Sequence, residues 1–266
     1  MEQTVKNKIL AIINVAALIV VLVINTLANS LPLNGVSTGE LSDSYPNLFV
    51  PSGITFAIWG VIYLLLIGFI VYQSTLLFNK NRDSTQIERI SPFFIISSIA
   101  NSLWIVAWHW QKVGLSVILM IVLLCSLITI YLRINDGGKE QIKGSFLFLR
   151  LPFSVYLGWI TIATVANITA LLVNIGWNRF GLSEAFWTIG VMIVAILITL
   201  TMLLFRKDVA YGAVVIWAFY GILKKRSAFD IPPDRGVEIT AIIGLIVLGL
   251  SAIYILYKNV RIKLSK

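Results

Sequence analysis

The chain has 266 residues, of which 58% are hydrophobic and only 12% are charged. A soluble globular domain typically carries about 25% charged residues, so a water-soluble fold is excluded. The charges lie between long neutral runs such as Ile9–Gly39 and Ser44–Asn79, and a helix needs about 20 mostly apolar residues to cross a bilayer. The alternating segments of about 10 residues that mark a β-barrel are absent. The pattern therefore predicts an all-α polytopic membrane protein.

The net charge of +9 would suit a nucleic-acid partner in a soluble protein. Here the basic residues border the hydrophobic runs, where they set topology and contact anionic lipid head groups. We therefore expect membrane lipids, and no nucleic acid, as partners. The chain has one cysteine, Cys125, and one histidine, His109, which together exclude an intrachain disulfide and a Cys/His metal cluster. No cofactor is expected to be required.

Eight apolar segments are predicted to span the membrane. In chain order they are Ile9–Ala28, Pro51–Leu77, Pro92–Trp110, Leu115–Leu132, Leu151–Ile175, Ala185–Phe205, Val209–Leu223 and Ile239–Tyr257. The first is longer than a usual signal-peptide core, so we interpret it as a spanning helix. The longest connection, Asn29–Val50, is rich in turn-forming residues but also contains apolar ones, so it is expected to fold against the helix ends.

Three prolines mark the starts of predicted spans. Pro51 and Pro92 are expected in first helical turns, where the missing N–H costs little. Pro152 lies near the start of the fifth span and could kink it.

The distribution of basic residues predicts the orientation. With the N-terminus in the cytoplasm, fifteen Lys and Arg residues fall on inside segments and six on outside segments. This bias favours both termini inside. The exception is the triplet Lys224–Arg226, which falls outside after the shortest span, Val209–Leu223. If that segment does not fully cross, the C-terminus lies outside.

Three spans each carry a stripe of aromatic residues on one helix face, and two of the stripes include amides. Residues at i, i+3 and i+7 share a face of an α-helix. The stripes are Phe56, Trp59 and Tyr63 in the second span, Asn101, Trp104 and Trp108 in the third, and Tyr156, Trp159, Ala163, Asn167 and Asn174 in the fifth.

These stripes have a structural and a functional interpretation. Trp and Tyr commonly form interfacial belts, which accounts for Trp110, Trp177 and Trp187, and Asn often only joins helices, for about 1 kcal/mol. Aromatic walls with a few amides also suit a flat, largely apolar ligand that needs orienting contacts. Three stripes of similar composition favour a ligand pocket.

Small residues occur near the same stripes. Gly60 and Gly68 are expected to permit close helix contact in the second span. In the fifth span, the small residues could serve internal packing or a dimer seam; they are Ser154, Gly158, Ala166 and Ala170.

The absence of charge inside the spans limits the function classes. No predicted span contains Asp or Glu, and Arg150 lies only at an edge. Ion-coupled transporters generally need intramembrane ionisable groups, so that class is disfavoured. His109 lies at a predicted membrane edge, and no nucleophile, base and orienting group can be assembled around it. No catalytic residues are therefore predicted.

At these residues the sequence resembles the TspO/MBR family, the tryptophan-rich sensory proteins that include the mitochondrial translocator protein. The segment Pro51–Gly68 is similar to the family's Pro…Gly…Phe…Trp…Tyr…Gly pattern. Asn101–Trp108 resembles its Asn-x-x-Trp motif followed by aromatics, and Tyr156–Asn174 resembles its Tyr-x-x-Trp-x₃-Ala-x₃-Asn-x₆-Asn run. Trp108 replaces the usual Phe, and Val155 stands where the family has Pro.

The resemblance covers residues 9–177, about the length of the family's five-helix core. It implies a TspO-like five-helix transmembrane core at residues 1–178, followed by a three-helix transmembrane extension at residues 179–266. The sequence leaves the role of the extension open between a cap, a change in dimerisation and a second site.

The resemblance also implies a membrane receptor or carrier that binds flat hydrophobic ligands, with porphyrins and sterol-like molecules as candidates. The Asn29–Val50 connection would close the pocket. We expect a multi-pass protein of a prokaryotic plasma membrane that can form a homodimer and can bind a tetrapyrrole. The ligand-binding residues so implied are Phe56, Trp59, Tyr63, Asn101, Trp104, Trp108, Tyr156, Trp159, Ala163 and Asn167.

Three alternatives stay open at this point. The chain could transport small uncharged solutes, with the additional helices lining part of a path. It could degrade porphyrin in a light- or oxygen-dependent reaction, although no conventional acid, base or nucleophile is present for it. It could also be purely structural.

Overall fold

The computed structural model of the chain describes residues 2–30, 33–78, 85–135, 146–228 and 234–264. All regular elements in these ranges are helical. Short 3₁₀ turns occur at Leu33–Gly35, Gly53–Ala57 and Arg179–Gly181, and a π-helical turn at Phe146–Arg150. The α-helices are α1 (Glu2–Ser30), α2 (Thr38–Asp43), α3 (Ile58–Phe78), α4 (Thr85–His109), α5 (Val113–Asn135), α6 (Leu151–Asn174), α7 (Glu184–Leu204), α8 (Val209–Arg226) and α9 (Arg235–Leu264).

The eight predicted spans correspond to the eight long helices. Among the described residues, seven helices are long and apolar enough to cross a membrane. The exception is α8, which has 18 residues and ends in Lys224, Lys225 and Arg226. It contains Val209–Leu223, the segment for which the sequence left incomplete crossing open. The all-α polytopic membrane architecture is confirmed. Five of the inside basic residues lie outside the described residues: Lys80, Arg82, Lys139, Lys143 and Lys266.

The helices pack as a bundle of five, to which the last three are joined. α4 packs against α1 and α5, α6 packs against α5, and α3 against α1 and α6. α8 lies on α6, and α7 and α9 pack on α8 and on each other. The outer faces of these helices expose large apolar side chains such as Ile12, Leu64 and Leu250. In a membrane protein such a surface meets lipid.

α8 approaches α6 closely because Gly158 has no side chain. A Cβ atom at Gly158 would lie 3.1 Å from the Tyr211 carbonyl oxygen and 3.2 Å from the Val214 Cβ. One turn earlier, the Ser154 hydroxyl donates a hydrogen bond of 2.7 Å to Asp208, the residue that caps α8. The small residues of α6 could serve either internal packing or a dimer seam, and two of them, Ser154 and Gly158, serve packing within the chain.

α1 is joined to the bundle by buried amides, which sequence reasoning did not single out. Asn14 Nδ2 donates hydrogen bonds of 2.9 Å to Gln73 Oε1 on α3 and to Ser91 Oγ on α4. Asn25, about three helical turns further along the same face, donates to Asn101 on α4. Polar groups inside a bilayer are costly unless paired, and these pairs fix the position of α1.

Two predictions about prolines are wrong. Pro51 precedes a 3₁₀ turn and lies outside α3, which begins only at Ile58. Pro92 lies inside α4, since that helix begins at Thr85 rather than at the proline. Pro152 lies in the first turn of α6, directly after the π-helical turn Phe146–Arg150, and a kink at this proline stays a prediction.

The two glycines of α3 differ in their surroundings. A Cβ atom on Gly68 would lie 3.4 Å from the ring of Phe148, so the π-helical turn packs on that glycine as expected of a small residue. A Cβ atom on Gly60 would meet no described residue within 4 Å. Gly60 therefore makes no close helix contact, contrary to the prediction, and instead borders a cavity.

A candidate ligand site among the tryptophans

The aromatic stripes of α3, α4 and α6 meet around Trp59. The Trp59 ring stacks on Tyr63 of the same helix, with ring centroids 5.6 Å apart, and on Trp104 of α4, at 6.1 Å. Two residues of α6 present their edges to it, Tyr156 at 6.0 Å and Trp159 at 6.3 Å. Three helices thus contribute to one aromatic cluster, because each places its aromatic residues on a single face.

The cluster continues toward the first connection, residues 33–57. Phe56, in the 3₁₀ turn before α3, lies edge-on to Trp159 at 5.9 Å. Trp104 stacks on Trp108 one turn later in α4, at 6.2 Å. Trp108 in turn contacts Tyr45 of the first connection at 5.6 Å. Since Phe56 and Tyr45 are both contributed by the connection, this segment forms one wall of the cluster.

Asn101 is the first residue of the α4 stripe and is fully buried, with 0% exposure. Its Nδ2 donates a hydrogen bond of 3.0 Å to the Tyr156 hydroxyl, and its Oδ1 accepts one of 2.9 Å from Asn25 on α1. Asn101 therefore positions Tyr156 against Trp59 by joining α1, α4 and α6. Its amide is engaged within the protein.

Asn167 plays the corresponding role on α6. Its Oδ1 accepts a hydrogen bond of 3.0 Å from the Trp104 indole nitrogen, and its Nδ2 donates one of 2.9 Å to Ser116 on α5. One turn earlier, Ala163 borders the small cavity of the cluster. Asn174, the last member of the stripe, is exposed and lies apart from these contacts.

The first connection is fixed to the end of α4 by Thr38 and His109. Trp108 Nε1 donates to the Thr38 carbonyl oxygen at 3.4 Å, and the Thr38 hydroxyl lies 3.1 Å from His109 Nε2. His109 Nδ1 lies 2.9 Å from the Leu33 carbonyl oxygen, which can only accept, so Nδ1 is the protonated nitrogen. Both ring nitrogens of the histidine are thus occupied by the connection.

α8 holds the same connection from its other side. Gly221 accepts a hydrogen bond of 2.9 Å from the Ser52 backbone N–H. Trp217 Nε1 donates one of 3.0 Å to the Thr55 carbonyl oxygen. Lys225 forms an ion pair with Asp43 at the end of α2. The basic triplet that departs from the charge bias is therefore used, in part, to secure the segment that covers the aromatic cluster.

Two cavities flank Trp59. A narrow one of about 40 Å³ is lined by Trp104, Trp108, Trp159 and Asn167, among others. A larger one of about 280 Å³ lies between α1 and α3 and is lined by residues that include Asn25, Asn29, Gly60 and Tyr63. Thr38, Phe56 and Trp59 border both cavities, so the Trp59 side chain is part of the wall that the two spaces share.

The arrangement of three tryptophan-bearing helices under a folded connection agrees with a comparison against protein families. The family model for TSPO-like proteins matches residues 11–254. The chain belongs to the TSPO-like family. The match runs past the five-helix core and through most of α9. Comparison with curated proteins and comparison with solved structures each gave no match.

Two polar atoms of this TSPO-like protein are buried at the cluster without a hydrogen-bond partner among the described residues. They are the Trp159 indole nitrogen and the Tyr63 hydroxyl oxygen. An unsatisfied buried polar group costs about 1–3 kcal/mol, and such groups in a native structure require an explanation. Trp104 differs, since its indole nitrogen is bound by Asn167.

Sequence reasoning selected ten of the eleven stripe residues as ligand-binding candidates but missed the residues that support them. The missed residues include Asn25, Thr38, Tyr45 and Ser116. Only Asn25 carried a local signal, as an amide inside a long uncharged run. The other three lie in a connection or on a helix whose facing direction the sequence does not define.

Proposed function

We propose that this membrane protein binds a flat, largely apolar ligand at the aromatic cluster, such as a porphyrin or a sterol-like molecule. The observation that carries the proposal is a pair of buried polar atoms among contacting aromatic rings, Trp159 Nε1 and Tyr63 Oη, for which the described part of the chain offers no hydrogen-bond partner. A ligand with a hydrogen-bond acceptor at its edge would accept from these groups while its face packs on the indoles. Burial would supply most of the affinity, and the polar atoms would fix orientation.

The volumes require the site to open when the ligand binds. Ordinary small-molecule pockets occupy about 300–1,000 Å³, whereas the space between Trp104 and Trp159 is about 40 Å³. The cavity on the α1 side is about 280 Å³, and Trp59 belongs to the wall shared by the two cavities. Rotation of the Trp59 side chain would join them into a space within the usual range. In this proposal Trp59 is both a wall of the site and its gate.

A matched pair of substitutions tests the site. Trp159→Phe removes an indole nitrogen that has no partner among the residues that the structure describes, so folding stability should change little. Ligand affinity should fall about tenfold, through the loss of one hydrogen bond and some packing area. Trp104→Phe removes an indole nitrogen bound to Asn167 and should lower stability as well. Protoporphyrin binding is measured by tryptophan fluorescence quenching in detergent, and stability by thermal unfolding of the same samples.

Trp110→Phe serves as the control, because Trp110 is half exposed and lies outside the aromatic contacts described above. It should bind protoporphyrin as the wild type does. Equal affinities of the wild type and Trp159→Phe, together with a normal affinity of a Trp59→Ala variant, would refute the site.

Binding and transport are separated in proteoliposomes. A receptor gives saturable binding without solute flux, whereas a transporter of small uncharged solutes gives flux. Illumination of the bound porphyrin tests the degradative alternative, since breakdown removes its absorption spectrum.

We also propose a prokaryotic plasma membrane as the location, with a cytoplasmic N-terminus, on the charge bias of the connections. Protease access to an N-terminal tag in inverted vesicles measures that orientation.

A further inference from the structure

A second pair of cavities lies where α7 and α8 meet the first connection, apart from the tryptophan cluster. One is an apolar cleft of about 570 Å³ between the C-terminal part of α6 and the N-terminal part of α7, with Val173, Trp177, Trp187 and Val191 in its wall. Its volume is within the usual range for small-molecule pockets, about 300–1,000 Å³. Because Val173 of α6, Val191 of α7 and the two indoles all line the cleft, it suits a hydrocarbon chain.

A polar cavity of about 460 Å³ adjoins this apolar cleft. Pro46, Asn47 and Glu184 border both spaces. The wall of the polar cavity also contains Lys225 and Arg226, the last residues of α8. A hydrocarbon space and a charged space thus share one boundary at the end of the helices.

Arg226 is the unusual residue of the polar cavity. Its exposure is only 7%, and within the described ranges its Nε has no hydrogen-bond partner and its guanidinium forms no ion pair. A guanidinium carries five N–H donors and stays charged in proteins. Burying such a group without a partner is costly, unless an anion completes the site.

The carboxylates near Arg226 are already engaged. Asp43 is paired with Lys225. Glu184 accepts a hydrogen bond of 2.7 Å from the Leu48 backbone N–H and lies 3.5 Å from Arg179. Among the groups lining the polar cavity, Arg226 is therefore the cation whose charge is left uncompensated at hydrogen-bond distance.

Two further carboxylates act on Arg226 from the start of α9, those of Asp234 and Glu238. Asp234 Oδ1 accepts a hydrogen bond of 3.1 Å from the Val237 backbone N–H, so Asp234 caps the N-terminus of α9. Arg226 is thus surrounded by charges of both signs, and the electrostatic potential in the cavity is not strongly positive. A ligand held there by charge alone would bind weakly, and an apolar part is needed for affinity.

We propose that these joined cavities form a second ligand site, which binds an anionic lipid. One acyl chain lies in the apolar cleft against Trp177 and Trp187, and the phosphate accepts hydrogen bonds from Arg226. The guanidinium suits this role, because it binds phosphate oxygens through paired N–H donors. The site is separate from the tryptophan cluster and does not depend on the function proposed for it.

Quenching by brominated lipids tests the site in the full chain. The protein is placed in nanodiscs of phosphatidylcholine that contain increasing fractions of tail-brominated phosphatidylglycerol, or of tail-brominated phosphatidylcholine as the zwitterionic reference. The quenching that is lost in a variant carrying both Trp177→Phe and Trp187→Phe is assigned to the cleft. In the wild type, quenching assigned to the cleft should reach half of its maximum at an about tenfold lower fraction of brominated phosphatidylglycerol than of brominated phosphatidylcholine. One charge-assisted hydrogen bond accounts for a difference of this size.

The preference for the anionic lipid should vanish in Arg226→Gln. It should persist in Lys224→Gln, the matched control, because Lys224 is the adjacent cation and is exposed. A Val191→Phe variant narrows the cleft and leaves Arg226 in place, so it should weaken binding of both brominated lipids. This variant carries the test if Arg226→Gln does not fold.

Two results would overturn the proposal. The first is equal half-saturation by the two lipids in the wild type. The second is a combination of two outcomes: inorganic phosphate abolishes the preference for the anionic lipid, and Val191→Phe has no effect on lipid binding. This combination would make the polar cavity a site for a soluble anion. Porphyrin binding should be the same in Arg226→Gln and the wild type, so failure here leaves the tryptophan site standing.

Discussion

Gly221→Ala is expected to release the connection that covers the aromatic cluster. Gly221 lies on α8, where an added Cβ atom would collide with Thr55 Oγ1 and would lie 3.0 Å from the Cβ atoms of Pro51 and Thr55. Thr55 has 0% exposure, so it has no free space to move into. The turn at residues 53–57 must therefore shift away from α8.

The cost of this shift follows from the contacts that it breaks. Inserting a methyl group into a packed core costs about 1–3 kcal/mol. The shift also lengthens the hydrogen bonds from Ser52 to Gly221 and from Trp217 to Thr55, each worth about 0.5–1.5 kcal/mol. Partial relaxation makes the two effects less than additive. We expect the free energy of unfolding to fall by about 2–4 kcal/mol.

Thermal unfolding in detergent, followed by intrinsic fluorescence, measures the loss. A fall of that size corresponds to a melting temperature lower by roughly 5–10 °C. Protoporphyrin should also associate faster, because the connection covers the cluster less tightly. Gly190→Ala on α7 is the control, since a Cβ atom there meets nothing within 4 Å. If Gly221→Ala unfolds at the temperature of the wild type, the tight contact between α8 and the connection is wrong.

Three further substitutions have defined outcomes. Asn167→Leu should lower the free energy of unfolding by about 1–3 kcal/mol, since it removes the acceptor of the buried Trp104 indole N–H, and thermal unfolding measures this. Asp208→Ala removes the side chain that caps α8 and accepts the Ser154 hydrogen bond, so it should cost about 2 kcal/mol. Asp208→Asn keeps an oxygen acceptor for the cap and should retain most of the stability; a larger loss in the Asn variant than in the Ala variant contradicts the capping role. Gln73→Leu should cost about 1 kcal/mol by removing one of the two acceptors of Asn14, and unchanged melting would show that the bond is not formed.

The membrane class and the aromatic faces could be predicted from the sequence because both depend on local signals. An apolar run of sufficient length forms a helix in lipid wherever it lies in the chain. Helical periodicity then places Phe56, Trp59 and Tyr63 on one face without reference to any other segment. The boundaries were less accurate, as Pro92 shows: polar residues before the apolar run extend α4 beyond the span that hydropathy defines.

The supports of the cluster could not be predicted, because they join residues that are far apart in the chain. Asn25 meets Asn101 across 76 residues, and Lys225 meets Asp43 across 182. Nothing local distinguishes Asn25, which bonds across helices, from Asn174, which is exposed. Only the packing of the helices determines which amides are paired.

The sequence by itself determined a helical membrane protein with three tryptophan-bearing faces, since hydropathy and helical period are properties of short segments. The tertiary structure decided that these faces meet around Trp59, that Trp159 Nε1 is buried without a partner in the described ranges, and that α8 secures the connection that covers them. It also decided that Arg226 is buried at a polar cavity that adjoins an apolar cleft. Each of these features depends on distances between separate helices, which only the folded chain defines.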